Sequence, residues 1–575
     1  MRTRGGRSGA AAETAAMRRR RPDLLTRGAR RFAELVAGVP AGSTDYVVTR
    51  DLRAEMRDGT ELLGDLYRPA GDEPMPVVLI RTPYGRASAG SRLFAVVLAR
   101  QGFQVLLQSV RGTFGSDGTF RPFTAEHDDG LDTLAWVRAQ PWCDGRVATT
   151  GASYFGHTQW AVAPYADPPL VAASLHITAA SISDVFYEHG VPGALNAIIW
   201  TDLIARQEQP GVRGRIERSG RRRRGLRALE HRPLGEADVV LTGRPVPFWR
   251  DITEHAEPDD PFWTAAANHD EAPLDRMPPV NMVTGWWDLF LQAQLHDYAR
   301  LRAAGIPARL TVGPWLHGAV GELREILQTD VAWLDHHLRG GAEPAGPLVR
   351  LQLQRTDEWL GFSTWPPPSA TTEHRYLGTD DRLSVEAPSE PVASSTVTFD
   401  PADPTRVSGG PLLAAPGKQV DDAVTEAGVD VAVFTGSVET GDLDLVGEVG
   451  ARLFVRSDHD RFDVFVRLCD VDEHGVSRNV VDGIRRLDPR TVPAVDVTVG
   501  DDGVLAIDVE LFPTAYRVEA GHRLRLVVAG GAYPRFAPNP GTGAPLDETF
   551  DGPATRFQLL HDAAHPSALV LPVLG

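Results

Sequence analysis

Val147-Ala148-Thr149-Thr150-Gly151-Ala152-Ser153-Tyr154-Phe155-Gly156 is the stretch from which the fold can be read. Residues of strand character run into a glycine, a serine follows, and an apolar helical pattern continues through Trp160, Ala161 and Val162. Such a strand, sharp turn and helix hold the serine at the apex, because the small residues Gly151, Ala152 and Gly156 let the backbone fold tightly on both sides of it. The Tyr154 N–H opens the helix at the same point, where partial positive charge gathers and an oxyanion can be held. One turn is therefore expected to supply a nucleophile and half an oxyanion hole.

Working outward, Tyr46 to Arg50, Leu62 to Arg68, Val77 to Arg81 and Gln104 to Ser109 read as strands. Ser91 to Arg100 and Asp128 to Ala139 read as helices between them. Beyond the serine helix, Val171 to Ile177 is another short strand, and then the alternation stops. From about Ser181 to Asp270 the pattern is helical, including Ala194 to Gln207 and Gly225 to Glu230, with Phe186, Tyr187, Trp200, Phe248 and Trp249 spread through it. This is read as a helical insertion over the active face, with Phe186, Tyr187, Trp200 and the later Trp287 as candidate pocket residues. Strands resume at Val280 to Thr284 and Ala308 to Val312, separated by an amphipathic helix through Arg302. Strands alternating with helices in this way indicate a largely parallel α/β sheet, whose function sits at the carboxyl ends of strands.

Two further residues fall at such ends. Asp288 follows Gly285-Trp286-Trp287, and His317 follows Gly313-Pro314-Trp315-Leu316. The chain order Ser, Asp, His is that of an α/β-hydrolase triad. A serine hydroxyl is a poor nucleophile at neutral pH, so His317 is needed to take its proton and return it to the leaving group. Asp288 would fix the imidazole tautomer and stabilise its charged form. The second oxyanion donor is expected from the loop Arg81-Thr82-Pro83-Tyr84, where the Tyr84 hydroxyl can reach the acyl oxygen.

Pro83-Tyr84, Val110-Arg111-Gly112 with Gly118, Gly151-Ala152-Ser153-Tyr154-Phe155-Gly156-His157-Thr158-Gln159-Trp160, Gly285-Trp286-Trp287-Asp288 and Gly313-Pro314-Trp315-Leu316-His317 together resemble the cocaine esterase type of hydrolase. That group is related to Xaa-Pro dipeptidyl-peptidases and to α-amino acid ester hydrolases acting on β-lactam antibiotics. The resemblance runs from about Asp45 to the C-terminus. It implies Ser153 as nucleophile, His317 as base, Asp288 as its partner, and the Tyr84 hydroxyl with the Tyr154 N–H as oxyanion hole. It implies no metal or organic cofactor. Two departures from the family pattern stand out: Gly85, where an acidic residue is frequent, and His157, where an apolar one is.

The remaining chain fits this picture. Trp333 to Gly340 reads as a helix, Val349 to Leu353 as a last strand, and Trp365-Pro366-Pro367-Pro368 as a linker-like break. From Thr371 on, short alternating runs such as Val431 to Phe434, Ala451 to Arg456, Asp463 to Cys469 and Arg523 to Val528 indicate an all-β sandwich, and the resemblance implies a jelly roll. The division expected is a basic extension over 1–45, an α/β-hydrolase domain over 46–180 and 271–370, a helical cap over 181–270 and the jelly roll over 371–575.

Composition narrows the partners. At 575 residues the chain is too long for one core, and its net charge of -17 repels a phosphate backbone, so no nucleic acid is expected. The arginine runs Arg18 to Arg21 and Arg221 to Arg224 are read as a solvated tail and a solvated helix end. Leu24 to Val36 has helical spacing that could dock on a second copy, and Lys418 is the only lysine. Cys143 and Cys469 belong to no metal-ligand spacing and read as buried thiols. Asp442, Asp444, Asp458, Asp460 and Asp463 lack a strict calcium-loop spacing and read as solvated turns, and His336-His337 as helix-end residues. With neither a membrane span nor a secretory leader in the pattern, a cytoplasmic enzyme without membrane partners is expected.

The reading is a serine hydrolase that cleaves small-molecule esters or amides through an acyl-serine, with esters of bulky acyl groups, aromatic ones among them, the first choice. An Xaa-Pro dipeptidyl-peptidase or a β-lactam acylase is the alternative; either needs acidic residues to bind a substrate ammonium, and Asp117, Asp184 and Glu188 are candidates. A carbohydrate-binding protein with an inert hydrolase half is the alternative outside the enzymes.

Overall fold

A computed structural model describes residues 38–39, 42, 44–208, 220–255, 260–413, 417–488, 497–543, 546 and 552–575. The Arg18 to Arg21 run and the helical spacing of Leu24 to Val36 lie outside the described residues.

The strands of the first half are β1 (Tyr46–Glu55), β2 (Glu61–Pro69), β3 (Met75–Thr82), β4 (Gln104–Ser109), β5 (Cys143–Ala152), β6 (Ala173–His176), the hairpin β7 (Tyr187–Glu188) and β8 (Val191–Pro192), β9 (Val280–Trp287), β10 (Ala308–Leu316), β11 (Val349–Gln352) and β12 (Trp359–Phe362). Apart from the hairpin they form one sheet in the order β1-β2-β4-β3-β5-β6-β9-β10-β11-β12. Every pairing from β4 to β11 is parallel, and only the two edges are closed by antiparallel strands. The sequence explains the difference. Val77-Val78-Leu79-Ile80 and Val105-Leu106-Leu107 are continuous apolar runs, suited to strands covered by helices on both faces, whereas β1 carries exposed polar side chains at the edge.

A second sheet of twelve strands lies between Ala370 and Leu574. Its longest pair, Leu443–Ser457 against Leu505–Val518, is antiparallel. The two sheets are joined by backbone. The Gln354 N–H donates to the Ala515 carbonyl at 2.9 Å, and the Arg517 N–H returns to the Gln354 carbonyl at 3.3 Å. Short helices between Ser183 and Ala266 pack over the carboxyl edge of the first sheet. The architecture is an α/β-hydrolase sheet with a helical insertion and a C-terminal β-sandwich.

Several local readings are corrected. The helix expected over Trp333 to Gly340 begins at Val320, directly after the His317 turn, and runs to Arg339. Val349–Gln352 is not the last strand, because Trp359–Phe362 returns antiparallel beside it. Trp365-Pro366 is no free linker: Trp365 is buried, its ring 6.3 Å from that of Trp286. Arg221–Leu229 is a helix whose Arg221 and Arg224 bind the fully buried Asp202, so these two arginines of the run neutralise a buried charge. Asp463 is likewise buried, held by Arg486 at 2.9 Å and Asn539 at 2.8 Å rather than solvated. Cys143 and Cys469 are buried free thiols, and His336 and His337 occupy the last turn of their helix.

Candidate active site

Ser153 sits between the end of β5 and the helix Tyr154–Trp160, with φ 60° and ψ -126°. That conformation is rare for any residue with a Cβ and marks a strained turn that its surroundings must hold. They do so tightly. The Ser153 N–H donates to the His176 carbonyl of β6 at 2.9 Å, and the Gly156 and His157 N–H groups donate back to the Ser153 carbonyl. A Cβ on Gly151 would stand 2.3 Å from that of Phe155, and one on Gly156 2.5 Å from that of Thr178, so the helix can approach the sheet only across glycine.

Register brings the other two residues together. Strands β9 and β10 run parallel with Gly285 opposite Gly313 and Trp287 opposite Leu316, so the next residue of each strand, Asp288 and His317, emerges at the same edge. The His317 Nδ1 lies 2.8 Å from Asp288 Oδ2, and its Nε2 lies 3.1 Å from Ser153 Oγ. Asp288 is fully buried and its other oxygen accepts the Phe290 N–H at 2.9 Å. The His317 turn is pinned from below by Glu322, which accepts the Gly318 N–H at 2.7 Å. Burial, with Asp288 nearby, pushes the Glu322 carboxyl well above its ordinary range.

Tyr84 approaches from the loop after β3. Its N–H donates to Thr82 Oγ1 at 3.0 Å, and its hydroxyl interacts with Ser153 while accepting the Trp200 indole N–H at 3.0 Å. Burial pushes the phenol up to about 12, so it stays a neutral donor at ordinary pH. The departure at Gly85 has a steric cause: its φ is 84° and a Cβ would meet the Phe114 ring at 2.7 Å. The Tyr154 side chain turns into the core, donating to Glu126 at 2.8 Å and accepting the Phe123 N–H at 2.8 Å. Its backbone N–H remains at the first helical position, above a Ser153 that caps nothing with its side chain.

The pocket over Ser153 is walled by Phe123, Ile182, Phe186, Trp200, Leu289, Phe290 and Leu413, with Tyr84, Tyr154 and His157. Two of the four expected pocket residues are among them. Tyr187 instead donates its hydroxyl to the Ile252 carbonyl at 2.7 Å and faces a second cavity, and Trp287 packs into the apolar core at the end of β9. The pocket is narrow, with a cavity volume of about 30 Å³, the space of roughly one water, so any acyl group enters it with movement of its walls. Leu413 comes from the C-terminal half, its N–H bound to Asn196 at 2.9 Å on the cap, near a backbone pairing of Gly410 with the exposed Lys418. Nothing local in the sequence connects Leu413 or Phe123 with Ser153; only the fold does.

Of the acidic candidates, Asp184 and Glu188 line the second cavity, of about 740 Å³, which shares Leu289 with the pocket, while Asp117 does not reach it. Burial pushes Glu188 up to about 7, although Arg535 binds it at 2.9 Å. Among the described residues, the one grouping close enough to hold a metal is Asp422, Glu426 and Cys469 in the sandwich. Its carboxylates are already engaged by Arg467 and Arg525, which makes it a poor cation site. Among the described residues no helix is long and apolar enough to cross a membrane.

Comparison with known proteins agrees with this geometry. The X-Pro dipeptidyl-peptidase (S15) family matches residues 58–319, and the X-Pro dipeptidyl-peptidase C-terminal non-catalytic domain matches residues 342–570. A cocaine esterase of Rhodococcus sp. (strain MB1 Bresler) is 29% identical over 92% of this chain and 99% of its own. A putative serine esterase of Mycobacterium bovis is 25% identical over 90% and 94%. Among solved structures, an α-amino acid ester hydrolase aligns with a TM-score of 0.75 at 22% identity, over 93% of this chain and 98% of that one. An aminopeptidase from a marine sediment Thaumarchaeota archaeon aligns over the same shares with a TM-score of 0.73 at 22% identity. The chain thus carries the catalytic and C-terminal domains of the X-Pro dipeptidyl-peptidase (S15) family and resembles a cocaine esterase along nearly its whole length.

Proposed function

We propose that Ser153, His317 and Asp288 hydrolyse carboxylic esters of short-chain acids, with the Tyr84 hydroxyl and the Tyr154 N–H as oxyanion donors. The single observation that carries this reading is the unbroken line of contacts from Asp288 through His317 to Ser153, at 2.8 and 3.1 Å. His317 Nε2 takes the Ser153 proton as Oγ attacks the acyl carbon, and the proton then passes to the departing alkoxide. Water, activated by the same imidazole, releases the acid and regenerates the serine. The catalytic domain would span 46–180 and 271–370, the cap 181–270 and the sandwich 371–575. We also propose a cytoplasmic location for the enzyme, acting without nucleic acid or membrane.

A dipeptidyl-peptidase or amino-acyl ester hydrolase is the second reading, favoured by Asp184 and Glu188 in the cavity that adjoins the pocket at Leu289. The test is release of p-nitrophenol from acetyl, butanoyl and benzoyl esters beside release of p-nitroaniline from Xaa-Pro-p-nitroanilide. Short acyl esters are expected to turn over fastest, and Ser153→Ala to lower kcat by a factor on the order of 10⁴ or more. Anilide cleavage exceeding ester cleavage would move the assignment to the second reading. Ester turnover surviving Ser153→Ala would remove the triad altogether.

A further inference from the structure

The catalytic pocket contains one polar side chain that the proposed chemistry does not use. His157 stands one helical turn beyond Ser153, is fully buried, and lines the pocket with its ring edge-on to Phe123 at 5.0 Å. One ring nitrogen is directed to the Ala179 carbonyl, outside regular hydrogen-bond geometry, and the other has no partner. His269 lies behind it, ring centres 5.5 Å apart, and its buried Nε2 is also without a partner. Buried polar groups in folded proteins are nearly always satisfied, so two adjacent imidazoles with spare hydrogen-bonding capacity beside a reactive serine call for a ligand.

The chemistry of that ligand follows from the state of the rings. Burial pulls His157 well below its ordinary value and His269 down to about 4, each assisted by a neighbouring histidine, so both are neutral at working pH. With its N–H toward the Ala179 carbonyl, the neutral imidazole presents an acceptor nitrogen, which matches the O–H of a hydroxyl. Among the described residues no carboxylate or guanidinium lines the pocket, so a charged substituent would be buried there without a counter-ion.

We propose that His157 is a specificity-determining residue, which selects acyl groups bearing a hydroxyl by hydrogen-bonding it at the wall of the pocket. The role rests on the ester-hydrolase reading above. A plain alkyl chain leaves the imidazole unsatisfied, whereas a hydroxyacyl chain pairs it. Discrimination therefore comes from a polar group that the wrong substrate strands in an apolar site.

The experiment compares p-nitrophenyl butanoate with the 2-hydroxybutanoate and 3-hydroxybutanoate esters, each hydroxy ester in both enantiomers. The readout is kcat/KM of each hydroxy ester relative to the parent, divided by the same ratio for hydroxide-promoted hydrolysis, which removes intrinsic reactivity. At least one hydroxy ester is expected to be preferred by about tenfold or more in the wild type. His157→Leu is expected to abolish that preference, read as the ratio between hydroxy ester and butanoate and not as the turnover of either. A wild-type ratio near one for every hydroxy ester overturns the proposal, whether or not the variant folds. So does an unchanged preference in a folded His157→Leu. Failure of the underlying reading looks different: the butanoate itself would be inert, or its turnover would survive Ser153→Ala.

Discussion

Tyr84 shows how much a single hydroxyl depends on what holds it. The Trp200 indole donates to the phenol oxygen at 3.0 Å, occupying a lone pair and holding the hydroxyl beside Ser153, where an acyl oxygen would come. Removing the hydroxyl with Tyr84→Phe is expected to cost about 10²–10³ in kcat, as the loss of an oxyanion donor does. Trp200→Phe removes one neutral hydrogen bond and is expected to cost about three- to tenfold, mainly in kcat. In the double variant the tryptophan change should cost almost nothing more, because its effect passes through Tyr84. Steady-state kinetics of the four proteins decide it; additive losses would mean that Trp200 acts on substrate directly. The triad was legible because its three residues follow strand ends in a fixed order. The Trp200 contact was not, since the sequence shows an aromatic on a helix but not the direction in which its N–H points. Where the rings of Tyr187 and Trp287 point is set by the fold in the same way.

At the scale of elements, strand ends and glycine contacts position the chemistry, and helices pack behind them at a cost in buried charge. Helix Leu291–Ala303, which follows β9, brings Asp297 under the cap, where its carboxylate accepts the Ala180 N–H at 2.7 Å. Burial pushes this carboxyl from 3.8 up to about 7. The folded state therefore holds the proton more firmly than the unfolded chain. Its stabilising contribution is complete below about pH 4 and is lost as pH rises through about 7. Asp297→Asn, which keeps an acceptor without the charge, should melt several degrees higher than the wild type at pH 8, with the gap closing at pH 5. Calorimetry at the two pH values checks this, and a gap that does not change with pH would show that the carboxyl is already ionised in the folded state at pH 5. Interior strands were easily read, because runs such as Val77 to Ile80 have few other uses. The first half of the helix Val320–Arg339 was missed because its opening Val320-Gly321-Glu322 looks like a loop; the Glu322 bond to Gly318 is a tertiary reason to start there.

For the whole molecule, the two sheets share apolar core, a backbone pairing at Gln354 and an ion pair between Arg535 of the sandwich and Glu188 of the insertion. Leu413 completes the pocket wall from the far half of the chain. A fragment ending at residue 370 is thus expected to lose both the cover of its core and part of the pocket. It should aggregate or show a molten-globule signature, while the full chain unfolds in one calorimetric transition. A soluble, active fragment would show that the sandwich is dispensable. None of this joining could be read along the sequence, where Trp365-Pro366 looks like a boundary and the Trp365 ring proves to be buried.

The solitary Lys418 gains a practical meaning from this arrangement. Its side chain is exposed on the segment whose pairing with Gly410 adjoins Leu413. Reagents that acylate lysine side chains would find one address, a few residues from the wall of the pocket. An enzyme tethered to a solid support through that amine would be held at a single point. A reporter dye carried there would watch the pocket fill.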